Sequence, residues 1–196
     1  MNRDILQENG AMSRLPIQNI IHLLALIRVQ PDAAHADVAA VVRAYARWTR
    51  QHGGQVIDAE PPQLMVCLPD PDRAIESLHA LMHEGRRLGF SVAGGLVQAI
   101  RATEHVPSSP NDFTERTLET VIELSGTVGQ QQLAITGKLL SLLQLAVPAY
   151  ARHFQPLADA DGRPVTRVRQ MLVLAGDRLA PYTGPIRIVP NPSDRR

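Results

Sequence analysis

The chain has little of several things that would otherwise direct its use. It has one cysteine, Cys67, so no disulfide can close within it. The apolar neighbours Leu64-Met65-Val66 and Leu68 make that thiol a small buried hydrophobe suited to a reducing cytoplasm. Aromatic residues are 4% of the chain, and Lys plus Arg number 20 against 19 Asp plus Glu. With neither a basic field nor stacking side chains in quantity, nucleic acid is excluded as a partner class. No stretch approaches the roughly 20 apolar residues of a membrane span. The start carries Asp4, Glu8 and Asn9 where a secretory signal would place a basic and then an apolar segment. These absences lead us to expect a cytoplasmic, bacterial-type domain with no membrane insertion of its own, standing alone or belonging to a larger, membrane-anchored protein.

What is present is enough apolar residue, 44% of 196 positions, for one core. Residues 1–15 show no period and read as an arm or a lead-in from a preceding module, 16–189 as one α/β domain, and 190–196 as a disordered tail. Asn19 to Ile27 is a nearly continuous apolar run, the signature of a central strand buried on both faces. From Ala33 to about His52, Val38, Val41 or Val42, Tyr45 and Trp48 recur at helical spacing, and Gly53-Gly54 ends the helix. Gln55–Ala59 and Gln63–Leu68 read as a hairpin around Glu60-Pro61-Pro62. Asp70-Pro71 starts a second helix through Ile75, Leu78, Leu81 and Met82, stopping near Gly89. Phe90 to Ile100 is a strand in which Gly94-Gly95 permits a bulge or a close neighbour. The order βαββαβ is a split βαβ arrangement, two helices covering one face of an antiparallel sheet.

An irregular loop follows, with Asp112 placed to cap a helix that runs to about Ser125 on a stripe of Leu118, Val121, Ile122 and Leu124. A strand (Gln132–Thr136), a helix (Gly137–Leu145) and a terminal β region (His153–Leu174, then Ile186–Val189) complete the domain.

Over roughly residues 18–175 this order, together with His52-Gly53-Gly54-Gln55-Val56-Ile57, Pro71 to Leu88, Phe90 to Val97 and Gly129 to Thr136, resembles the class III adenylate and guanylate cyclase homology domain. The resemblance implies an α+β fold, a ferredoxin-like βαββαβ core with a C-terminal αβαββ extension. It also implies head-to-tail pairing. Cyclases of this class need two carboxylates to hold two divalent cations against the ribose 3′-oxygen. Here those positions correspond to Leu26 in the first strand and Pro61-Pro62 in the hairpin. The family's Asn and Arg, which position the ribose and stabilise phosphate charge, correspond to Glu119 and Glu123. The resemblance thus implies the domain without its chemistry, and no metal or other cofactor is expected.

His79 and His83, four apart with Glu84 nearby, could offer two imidazoles to zinc, yet no second ligand pair stands at a recognisable spacing, so a solvated or partner-facing helix edge is the plainer reading. His22, in a buried run, reads as a core histidine. Thr136-Gly137-Lys138 lacks both the upstream glycine and the following Ser or Thr of a phosphate loop and reads as a helix cap. Arg163, Arg167 and Arg169 read as a polar hairpin edge.

Three functions follow from these residues. The first is a catalytically silent signalling or regulatory module that pairs with a second copy or with another protein. The second is a sensor that keeps the cleft for a nucleotide or other small ligand, with Asp58, Glu60, Gly94 and Gly95 as the cleft residues. The third is an active cyclase drawing carboxylates from Asp58, Glu60 or Asp112.

Overall fold

The first apolar run becomes β1 (His22–Pro31), the central strand of a sheet. Leu23, Ala25, Ile27 and Val29 enter one core cluster and Leu24 and Leu26 enter the other. That is period-two alternation with both faces apolar, as a strand covered on both sides requires. The molecule is seen in a computed structural model that describes residues 22–32, 37–99, 107–157, 171–176, 179–184 and 186. The arm at 1–15, the tail at 190–196, Arg163, Arg167, Arg169 and residues 187–189 of the expected last strand lie outside the described residues.

β1 is followed by α1 (Val38–Gln51), β2 (Gln55–Asp58), β3 (Gln63–Leu68), α2 (Pro71–Arg87) and β4 (Phe90–Ala99). A 3-10 turn (Pro110–Asp112) leads to α3 (Glu115–Thr127), β5 (Gln132–Thr136), α4 (Gly137–Ala146), α5 (Pro148–Ala151), β6 (Gln155–Pro156) and β7 (Met171–Ala175). The sheet order is β2-β3-β1-β4-β5-β7-β6. Every neighbouring pair is antiparallel except β4 with β5. The first four strands form the ferredoxin-like core expected from periodicity, and the rest extends it by αβαββ with one short extra helix, α5.

The helices fold where their caps say they should. Asp37 accepts the Ala40 amide at 2.9 Å, Asp70 that of Asp72 at 2.9 Å beside Pro71, and Thr136 that of Leu139 at 3.3 Å. Helix α1 ends at His52, with Gly53 at a φ of 79° that favours glycine. On one face of the sheet α1 buries Val41, Val42, Tyr45 and Trp48, α2 buries Ile75, Leu78, Leu81 and Met82, and α4 adds Leu139 and Leu143. Among the described helices only α3 covers the other face, through Val121 and Leu124. The Tyr45 hydroxyl, fully buried between α1 and α2, is held 2.9 Å from Ser77 Oγ, which donates to the Ala74 carbonyl.

Several expectations are corrected. Asp112 does not cap α3. The cap is Thr114, whose Oγ1 accepts the Thr117 amide at 3.2 Å, while the Asp112 carboxylate turns back to the amides of Ser108 and Ser109 and closes the 3-10 turn. Ile122 does not belong to the buried stripe and is 55% exposed, because the face against the sheet runs through Val121, Leu124 and Ser125. Ile186 lies in no strand, since β6 and β7 already complete the sheet edge. The bulge foreseen at Gly94-Gly95 occurs instead in β2, between Val56 and Asp58, and the β1–β4 register is unbroken.

Gly94-Gly95 serves the other expectation, a close neighbour. A Cβ on Gly95 would lie 2.7 Å from Leu124 Cβ, the Ser125 amide nitrogen and the Val121 carbonyl, so α3 rests directly on the strand backbone. Gly95→Ala is therefore expected to destabilise the fold by about 1–3 kcal/mol through overpacking. Gly126→Ala, with open space at its Cβ within the same helix, should gain about 0.4–1 kcal/mol. Urea unfolding of the two variants beside the parent checks the opposite signs.

Candidate functional site

The positions singled out by the cyclase resemblance lie on the face that carries α3. Strand register places Asp58, Met65, Leu26, Gly95, Ala134 and Val173 in one row across the sheet. Cross-strand partners share a face, and Leu26, Ala134, Met65 and Val173 all pack in the second core cluster. Leu26 is 8% exposed, so the position matching the first-strand carboxylate is apolar and covered. Pro61 and Pro62 are exposed in the β2–β3 turn and offer no side-chain ligand. Asp58 and Glu60 are exposed beside them, and Asp58 Oδ1 accepts the Ala59 amide at 2.8 Å. Asp58 lies two strands from Leu26, about 10 Å at sheet spacing. Gly94 and Gly95 do not face an open cleft, because α3 fills the space over Gly95 and the Leu26 carbonyl lies 2.9 Å from where a Gly94 Cβ would stand.

On α3, Glu119 and Glu123 are exposed one turn apart, with Ile122 beside them. Two carboxylates at that spacing repel a polyphosphate. Arg28, two residues after Leu26 on β1, reaches the C-terminal end of α3, where its Nη2 donates to the carbonyls of Ser125 and, at 3.1 Å, Val128. A cation at a helix C-terminus meets carbonyls that lack partners within the helix, so Arg28 anchors α3 to the central strand.

A second polar grouping lies on the opposite side of the sheet, around His79. This histidine is 8% exposed, and both ring nitrogens are engaged, which corrects the solvated-edge reading and leaves neither nitrogen for a shared zinc with His83. Nε2 is 3.1 Å from the Ala180 carbonyl and must donate, so in the neutral ring Nδ1 accepts from the Tyr150 hydroxyl, also at 3.1 Å. The Tyr150 and Tyr182 rings stand edge-on to the imidazole, with centroids 5.5 and 5.2 Å away. Burial first, then His83 and His153, push the His79 pKa below its ordinary value, against the opposing effect of the Ala180 carbonyl. Among the described residues no group of three or more His, Cys, Asp or Glu converges as a metal site.

A cavity of about 340 Å³ opens beside His79, walled by α2, the α5 region and residues 179–184. Sequence reasoning missed Tyr150 and Tyr182, which stand in short Pro-flanked segments without a period. The available signal was scarcity, since two of the chain's three tyrosines occupy this one cavity.

No protein-family model matches the chain. No curated protein sequence matches it either. Solved structures do match. The chain is similar to a dimeric guanylyl cyclase domain of the RhoGC fusion protein from the aquatic fungus Blastocladiella emersonii, at 10% identity and a TM-score of 0.51, over 79% of this chain and 93% of that one. It is similar to the guanylate cyclase domain of RhGC from Catenaria anguillulae in complex with GTP, at 11% identity and 0.50, over 80% and 97%. It is likewise similar to an adenylate cyclase from Trypanosoma brucei in its monomeric state, at 14% and 0.50, over 86% and 94%. The fold expected from the resemblance is the fold observed.

A lowered folded-state pKa at His79 means that the unfolded chain binds this proton more readily. Stability from this group is complete above the unfolded value of about 6.5, falls as pH drops toward the folded pKa, and levels off below it, by at most about 1.4 kcal/mol per pH unit for one proton. Urea midpoints between pH 7 and pH 5 are expected to fall more steeply for the parent than for His79→Gln.

Proposed function

We propose that this cyclase-fold chain is a catalytically silent signalling module whose work is to pair, in the first instance with a second copy of itself, through the face that carries α3. The row from Met65 through Leu26 to Gly95 carries the reading. It is apolar and packed where two-metal chemistry calls for hard oxygen ligands. The remaining positions agree: prolines stand in the turn, glutamates stand where ribose and phosphate would be met, and Asp58 is held to its own turn at the sheet edge. An exposed Ile122 between polar neighbours is the kind of apolar centre with a charged rim that interfaces use. A closed two-fold dimer is the form that such self-pairing takes.

Two measurements test this. Incubation with ATP or GTP and Mn²⁺ is expected to yield no cyclic product, and product that disappears in Asp58→Ala would overturn the silent reading. Light scattering across a dilution series is expected to give dimer mass at tens of micromolar and monomer mass for Ile122→Arg. A parent chain that stays monomeric there would overturn self-pairing.

A further inference from the structure

The cavity beside His79 has a property that the pairing reading does not use. It is lined by an acid and a base that form no salt bridge with each other or with any other of the described residues. Glu76 is half-buried on α2, one turn before His79, and among the described residues its carboxylate makes no hydrogen bond or ion pair. Its charge helps to raise the phenol pKa values of both Tyr150 and Tyr182, after burial as the larger cause, so the carboxylate's field falls on both rings. Arg152 lines the same cavity and is exposed. Its Nε donates to His153 Nε2 at 3.3 Å, and among the described residues no carboxylate forms a salt bridge with the guanidinium. A half-buried carboxylate ordinarily recruits a partner. Here Tyr150 and Tyr182 share its cavity and feel its charge, and the guanidinium of Arg152 lines the same space.

The walls are already fixed without a ligand. His79 ties Tyr150 to one side and the Ala180 carbonyl to the other. The Tyr182 hydroxyl accepts the Ile186 amide at 3.2 Å, which orients its ring. A preformed cavity of about 340 Å³ with a few convergent polar groups is of small-ligand size. An ammonium group is the complement of a carboxylate set among aromatic rings, and a carboxylate is the complement of a guanidinium.

We propose that this cavity binds a small zwitterion of the amino-acid class, its ammonium group on Glu76 beside the Tyr150 and Tyr182 rings and its carboxylate on Arg152. The site lies on the sheet face opposite α3, so binding and pairing stand or fall separately.

The test uses the full chain, the twenty standard α-amino acids, and β-alanine, 4-aminobutyrate and 5-aminovalerate as probes of the spacing between the two charges. At least one probe is expected to raise Tm saturably, by roughly 5–10 °C at a hundredfold excess over Kd. Calorimetry should then show that Glu76→Gln and Arg152→Gln each weaken that probe by roughly tenfold or more, as does removing either charge from the probe, whereas Glu119→Gln leaves its affinity unchanged. Circular dichroism on the two cavity variants separates lost binding from lost folding. The proposal is overturned if no probe binds at 10 mM, if binding survives both cavity substitutions, or if the matched amine or carboxylate alone binds as tightly as the zwitterion.

Discussion

The seat of α3 on the backbone of β4 at Gly95 is the contact on which the second face of the molecule depends. Only a residue without a Cβ lets Val121, Leu124 and Ser125 approach the strand so closely, and interiors packed this densely have no room to absorb an added methyl group. Once the helix is seated there, Arg28 reaches its final carbonyls from β1 and holds its C-terminal end. Helix position, strand register and the covered state of Leu26 are therefore one packing solution.

That solution decides the chemical character of the face. Here the middle of the row is apolar, the turn is proline, and the outward side of α3 presents Glu119, Ile122 and Glu123. Together they give this face an apolar packed row and a like-charged rim around Ile122, which is why pairing is the reading proposed for it.

On the other side of the sheet the molecule gathers its scarce aromatic and histidine residues. His79 occupies a position that its neighbours make both buried and polar, and it meets that demand by donating to one distant backbone carbonyl and accepting from one distant phenol. Burial without those partners would leave an unsatisfied imidazole. The same two bonds shape the cavity in which Glu76 and Arg152 stand without a salt bridge among the described residues.

Much of this was legible before any coordinates. Alternation in residues 23–29, the helical stripes of α1 and α2, the caps at Asp70 and Thr136 and the hairpin at Pro61-Pro62 all follow from rules that act within a few residues, and they led to the βαββαβ core. Asp112 and Ile122 were misplaced because two neighbouring residues competed for one cap and one stripe, and small differences in packing decided between them. What only the tertiary structure decided is convergence. Tyr150 is 71 residues from His79 and Ala180 is 101, and no periodicity spans such separations. The sheet order and the docking of the last segments across α2 bring them together, so this polar cavity was invisible in the sequence, although every residue that lines it could be read there.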